Sequence, residues 1–251
     1  MKITVLGCGS SGGVPLIGNN WGDCDPNNPR NRRSRVSVLV EEGDTTLLVD
    51  TSPDMRQQLL DCNLQKLTAV LFTHDHADHT HGIDDLRGIN WLNKKPVDIY
   101  ADSGTMKKLE ERFGYVFRPA DHFYKPSVKP NIVTGKFSIG PVAVTPFLQG
   151  HGYSHTLGYR FNDFAYSTDV KSLDDAAFDA LRGIKVWIVD CVREEPHPTH
   201  SHLEQTLEWI ARVKPERAYL THMNHTMDYA RIAAKLPPGV WPAHDGLVIE
   251  C

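Results

Sequence analysis

Short apolar and β-branched runs recur along the chain, most of them closed by a polar residue. The segments 2–7, 36–40, 46–49, 69–72, 97–100, 142–145, 157–161, 164–167, 186–189, 218–220 and 247–250 are rich in Val, Ile, Leu and aromatics, the pattern of buried strands. Segments with helical spacing fall between some of them, at 54–61, 105–112, 174–181, 203–212 and 229–234, with Ser103 and Ser201 as N-caps for two. Strands come early in pairs and then alternate with helices in each half. Two sheets packed together with helices outside are therefore expected: an α+β fold in four layers, one domain over residues 1–251. The Gly- and Asn-rich stretch 9–35 reads as a long irregular loop, and loops of that length in compact domains are often functional.

The ends of the expected strands carry ligand-type residues. The run 69–72 leads into Thr73 and then His74-Asp75-His76-Ala77-Asp78-His79, four metal-binding side chains within six positions. The run 164–167 leads into Asp169, the run 218–220 into His222, and 142–147, slightly later, into His151. Strand ends are rigid, which suits preorganised ligands. His74 and His76 lie two apart across a turn and can reach one ion, while Asp78 and His79 open a helix and can face a second. Imidazole and carboxylate together suit zinc, manganese, iron or nickel. Seven such ligands exceed one tetrahedral ion and match two ions sharing a carboxylate, a hydrolytic arrangement. A scattered set of polar loop residues explains a lone histidine well, but not this repeated placement.

Bulk properties narrow the class. The 251 residues suffice for a sizeable core, with 40% apolar and 23% charged residues. A net charge of −4 and a pI near 6.3 argue against a general nucleic-acid binder. No apolar run approaches the ~18 residues of a membrane helix. The apolar stretch after Lys2 breaks at Gly7, too early for an export signal. Five cysteines in no framework spacing fit a reducing cytoplasm, so a cytoplasmic location is expected.

The chain resembles the metallo-β-lactamase fold hydrolases over nearly its whole length, and within them the PhnP-type cyclic phosphodiesterases, relatives of the tRNA 3′-processing endonucleases. The resemblance is carried by HxHxDH at 74–79, by Gly9-Ser10-Ser11-Gly12-Gly13-Val14-Pro15, by Gly82-Ile83-Asp84-Asp85-Leu86-Arg87, by Thr221-His222-Met223-Asn224-His225 and by Asp245-Gly246. It implies an αββα sandwich with the metal site at one edge. It also implies that His74, His76 and His151 hold one ion, that Asp78, His79 and His222 hold the other, and that Asp169 bridges them. Two divalent ions, Asp78, Asp169 and a bridging hydroxide sum to about +1, a site that attracts an anion and stabilises phosphoryl oxygens. The hydroxide is then the nucleophile on phosphorus. The expected function is a dimetal phosphodiesterase acting on small cyclic or nucleotide-like phosphodiesters, with Zn or Mn first and Ni or Fe also fitting the donors.

The leaving alkoxide needs a proton, and the resemblance places the general acid at His200. His202, two residues on, is the rival, and both could instead cap a helix and face water. His225 either touches substrate or supports the ligands. The related pattern builds a structural zinc from three early cysteines and the position of His225, but this loop offers only Cys24. His155 is a candidate phosphate contact or a surface residue. Arg30, Arg32, Arg33 and Arg35 read first as a solvated face, with Arg35 the candidate for holding phosphate. Asp50 would orient a ligand histidine or merely end a strand, and Asp84 and Asp85 would do likewise or cap a helix. Trp21, Trp91, Tyr124 and Tyr153 are stacking candidates for a base or sugar, against a default of core packing.

The expected partner is a small phosphorylated substrate, nucleotides included, with no membrane and no stable nucleic-acid complex; a homodimer is compatible. Two other classes share HxHxDH. A lactonase or glyoxalase II-type ester or thioester hydrolase needs a separate acid less than a phosphodiesterase does. A non-catalytic binder has no need of seven ligands. A tRNA 3′-processing-like nuclease is a variant of the first reading, but the protruding arm such enzymes use has no obvious counterpart.

Overall fold

The computed structural model describes residues 1–118 and 125–251; Tyr124 lies outside the described residues. Two seven-stranded sheets face each other. The first contains β1 (Lys2–Gly7), β2 (Ser37–Glu42), β3 (Thr45–Val49), β4 (Ala69–Leu71), β5 (Val97–Ala101), β6 (Val128–Ile132) and β14 (Val248–Glu250), in the order β14-β1-β2-β3-β4-β5-β6. The second contains β7 (Phe137–Ile139), β8 (Val142–His151), β9 (Ser154–Phe161), β10 (Phe164–Ser167), β11 (Val186–Asp190), β12 (Arg217–Thr221) and β13 (Val240–Pro242), in the order β13-β12-β11-β10-β9-β8-β7. Both are mixed. β3 to β6 and β10 to β13 run parallel, and the remaining pairs are antiparallel.

The helices are α1 (Met55–Asp61), α2 (Ala77–Thr80), α3 (Leu86–Asn93), α4 (Ser103–Arg112), α5 (Gly114–Phe117), α6 (Asp175–Leu181), α7 (Leu203–Val213) and α8 (Tyr229–Ala233). The apolar runs are explained by burial on both faces. In β2, β3 and β4, Val38, Val40, Leu47, Val49 and Leu71 point at the second sheet, into a core with Tyr159, Phe161, Phe164 and Trp187. Their neighbours Leu39, Leu48 and Val70 point outward, onto Met55 and Leu59 of α1, Leu86 of α3 and Met106 and Leu109 of α4. The result is a four-layer αββα sandwich, the architecture that the resemblance implies.

Several sequence expectations need correction. β6 contains Lys129, Pro130 and Asn131 and lies at a sheet edge, where a missing N–H and a charge are tolerated but the strand pattern is lost. β7 and β13 are three-residue edge strands. β8 runs on to His151 through Pro146, because β7 pairs only with Val142–Val144 and leaves the rest of that edge free. α3 falls outside the segments with helical spacing, although Asp84 and Asp85 are candidate caps there: its core-facing stripe is only Leu86 and Ile89, and Trp91 is exposed. Ser103 is not a cap; Asp102 is, accepting the Thr105 N–H. Ser201 is not a cap either. Its hydroxyl donates to the Asp190 carbonyl, and His202 holds the N-cap position without a side-chain hydrogen bond.

Candidate metal centre

The C-terminal ends of the parallel strands meet at one rim between the sheets, the usual place for a site in open parallel sheets. β3 delivers Asp50, β4 delivers Thr73 and His74, β10 delivers Asp169, β11 ends at Asp190, and β12 delivers His222. His151 ends β8. Asp50, Asp169 and His222 all have positive φ (63°, 53° and 58°). Left-handed backbone is uncommon outside glycine, and Asp and His are among the residues that adopt it most readily. These turns aim each side chain inward directly beyond its strand.

Ligand-type atoms of His74, His76, His151 and Asp169 lie within 4.8 Å of one another, as do those of Asp78, His79, Asp169 and His222. The two oxygens of Asp169 divide between the groups. Oδ1 lies 3.8 Å from Nε2 of His74 and 3.8 Å from Nε2 of His151. Oδ2 lies 3.1 Å from Nε2 of His79 and 3.4 Å from Nε2 of His222. Asp78 Oδ2 completes the second group, 3.3 Å from His79 and 3.7 Å from His222. Neighbouring donors around a tetrahedral zinc, at about 2.0–2.1 Å from the ion, sit about 3.3–3.4 Å apart, so these separations fit divalent ions.

Hydrogen bonding fixes which ring nitrogens face inward. Asp50 accepts from Thr73 N (2.8 Å) and Thr73 Oγ1 (2.8 Å) and lies 2.7 Å from His79 Nδ1. Because the Thr73 hydroxyl spends its proton on Asp50, its oxygen accepts from His74 Nδ1 at 2.9 Å. His151 Nδ1 donates to the Thr199 carbonyl at 2.8 Å. Each ring thus points Nε2 at the centre. Nε2 of His74, His79 and His222 is buried and has no hydrogen-bond partner among the described residues. Burying a polar atom unsatisfied is costly unless it ligates, so the donor set fits metal ions.

The electrostatics of the protein groups themselves agree. Burial pushes the Asp169 carboxyl up, but His222 and His79 outweigh it and hold the group well below the usual carboxylate range. Asp78 is likewise lowered: His79 and His222 overcome its burial. His222 is pushed up to about 9, burial being outweighed by Asp169, Asp78 and Asp190. Burial and the neighbouring His79 push His74 well down, and burial lowers His151.

His200 joins this centre. Its Nδ1 lies 3.0 Å from Asp190 Oδ2, its Nε2 lies 3.8 Å from Asp169 Oδ1, and its ring stacks on His222 at a 4.6 Å centroid distance. His202 is not in the cluster, and among the described residues its buried Nδ1 has no hydrogen-bond partner. His225 packs instead against the early loop: a Cβ on Gly22 would sit 2.4 Å from its Cδ2. His155 is exposed on β9, opposite Gly150. Arg35 lines a depression together with Asp78. The arginine cluster is not one solvated face. Arg33 is buried and donates to the Asn224 and Met227 carbonyls, while Arg30 and Arg32 lie over the rings of Tyr229 and Trp21. Trp21 is thereby engaged, whereas Trp91 and Tyr153 are exposed. Asp84 is exposed beside Arg87, and Asp85 makes no capping bond.

Sequence reasoning missed Asp190, Thr73 and Thr199. Asp190 had a usable signal, since it closes the apolar run of β11 as Asp169 follows that of β10. The carbonyl of Thr199 had none, because backbone acceptors leave no mark in a sequence.

Residues 45–223 match the family described as the β-lactamase superfamily domain. The chain is 31% identical over 255 residues to a Porphyromonas gingivalis protein named octanoyltransferase, covering 98% of this chain and 51% of that one. The chain thus spans about half the length of that relative. It is 27% identical over 205 residues to the anti-Pycsar protein Apyc1 of Paenibacillus harenae, covering 76% of this chain and 84% of that one. A crystal structure of a diphosphatase from the PhnP family superposes with a TM-score of 0.92 at 35% identity, over 99% of this chain and 96% of that one. Zn(2+)-bound PqqB from Methylobacterium extorquens superposes with a TM-score of 0.76 at 19% identity over 100% of both chains, a likeness of fold.

Proposed function

The chain belongs to the β-lactamase superfamily domain family and has the metallo-β-lactamase fold, and on that premise we propose that it is a metal-dependent phosphoric diester hydrolase holding two divalent ions. Its substrates are small cyclic or nucleotide-like phosphodiesters, and residues 1–251 act as one hydrolase domain. The observation that carries this reading is the division of Asp169, one oxygen toward His74 and His151 and the other toward His79 and His222. His74, His76 and His151 would hold one ion, Asp78, His79 and His222 the other, and Asp169 both. Such ions supply positive charge that acidifies a water and offsets charge on phosphoryl oxygens. Zn and Mn suit the donors best, and Fe and Ni fit them.

The chain's own residues do the rest. Asp50 and Thr73 lock the rings of His79 and His74, and the Thr199 carbonyl locks His151. Asp190 holds His200 through Nδ1, leaving Nε2 to hand a proton to the departing alkoxide. The Asp190 carboxylate steadies the positive ring before transfer, as in other carboxylate–imidazole pairs. That arrangement favours a phosphodiester over a carboxylic ester or thioester, whose cleavage relies less on a separate acid. The PhnP-family diphosphatase at 35% identity favours a second substrate class, diphosphate linkages, cleaved by the same chemistry at phosphorus.

The test is a panel of bis-p-nitrophenyl phosphate, 2′,3′- and 3′,5′-cyclic nucleotides, ADP-ribose, a lactone and a thioester, assayed with metal-reconstituted protein. Turnover of the phosphate esters is expected. Turnover of only the lactone or thioester would overturn the reading.

A further inference from the structure

Beside Asp78 the surface sinks into a depression of about 540 Å³ whose wall includes Ser11, Gly12, Arg35 and Ala77. Arg35 is oriented from behind. Its Nε lies 2.9 Å from Asp54 Oδ2, and its backbone N–H donates to the same oxygen at 2.8 Å. Among the described residues neither Nη nitrogen has a hydrogen-bond partner, so four N–H groups of a fixed planar fork remain to be used. The loop opposite offers more donors. Ser10 N donates to the Met223 carbonyl and Gly13 N to the Ser10 carbonyl, while the amides of Ser11 and Gly12 donate to no protein group among the described residues. Gly13 has φ 65°, and a Cβ there would lie 3.0 Å from the Arg33 carbonyl, so this close loop path needs glycine. Ser11 and Gly12 are exposed, with their amides on the turn. Free amides in a tight turn beside a guanidinium fork are anion-binding chemistry. The loop is tied to the metal centre at Met223, next to His222.

We propose that this depression is a subsite for a second, non-scissile phosphoryl group, so that the preferred substrates carry two phosphoryl groups, as a diphosphate diester does. The proposal rests on the hydrolase reading above and narrows it. One phosphorus sits at the centre formed around Asp169; its neighbour lies over Ser11 and Gly12 and is gripped by Arg35. Asp54 spends its charge on Arg35 and serves as a positioning residue.

The experiment compares kcat/KM on ADP-ribose with kcat/KM on bis-p-nitrophenyl phosphate, using metal-reconstituted wild type, Arg35→Ala and Arg35→Lys. Losing a charge-assisted fork is expected to lower the ADP-ribose to bis-p-nitrophenyl phosphate ratio by about 30-fold in Arg35→Ala. Arg35→Lys, which keeps charge but not the fork, should lower it less. A ratio within about 3-fold of wild type in both variants would overturn the subsite, because charge-assisted contacts are worth more than that. If wild type cleaves neither compound, the hydrolase reading fails and the subsite is judged by calorimetry alone. Methylenediphosphonate binding weakened about tenfold or more by Arg35→Ala, relative to methylphosphonate, would then support it, that being the least such a contact supplies, and unchanged selectivity would sink it.

Discussion

Asp190 holds His200: its Oδ2 lies 3.0 Å from the Nδ1 of that ring, and the carboxylate is fully buried at the end of β11. Among the described residues no other side chain hydrogen-bonds the His200 ring, which also stacks on His222. Asp190→Asn should therefore resemble His200→Ala. Both should lower kcat by about 10–100-fold or more, most steeply on substrates with poor leaving groups, and should keep two metals. A double variant no worse than either single one would show that the pair acts as a unit. Equal losses across a leaving-group series would remove His200 as the proton donor.

Asp169 is the shared carboxylate, so its loss should uncouple the two groups. Asp169→Ala is expected to bind at most one ion per chain by elemental analysis and to lose phosphodiesterase activity. Retention of two ions with intact cleavage would refute the dimetal reading.

Among the described residues His79 is the one ring that Asp50 bonds directly, and Asp50 also anchors Thr73 and through it His74. Asp50→Asn should weaken metal affinity by about 10–100-fold in chelator competition, with ligand identities untouched. An unchanged affinity would demote Asp50 to a strand-end turn.

Arg33 is a buried cation that ties the early loop to the segment after His222. Besides the Asn224 and Met227 carbonyls it bonds Asn31 Oδ1 at 3.2 Å. Arg33→Ala strands those carbonyls and should cost about 3 kcal/mol in urea denaturation. A loss under about 1 kcal/mol would mean that water replaces it readily.

Asp228 belongs to the same clasp and supplies the pH dependence. Burial alone would raise its carboxyl, but hydrogen bonds from Arg231 N, Asp25 N and Asn31 outweigh burial and hold it below its ordinary value of 3.8. A depressed folded-state value stabilises the fold above the unfolded-state value, and the contribution is lost as pH falls through the folded one. Tm should thus fall more steeply below about pH 4 in wild type than in Asp228→Asn. Parallel acid profiles would contradict this.

The candidate ligand positions were legible because rigid strand ends and chemistry coincide: an apolar run announces a buried strand, and the residue beyond it is conspicuous when it is His or Asp. His74, Asp169 and His222 were readable for that reason. The edge strand at Lys129 and Pro130 was not, since an edge need not look apolar. The charge run 30–35 misled, because four like charges in sequence say nothing about which will find carbonyl oxygens.

The amino-acid order by itself determined the layers, the seven ligand-type positions and the link of several of them to strand ends, since burial and periodicity are local properties that each segment carries alone. Only the tertiary structure decided that Asp169 faces two groups at once, that His200 rather than His202 reaches the centre, and that Arg33 lies inside while Arg35 lines the rim. Those outcomes depend on angles and distances of a few ångströms between segments up to some 200 residues apart, such as Arg33 and Met227. Hydrogen bonding and electrostatics fall off over that range, so no local pattern can encode them.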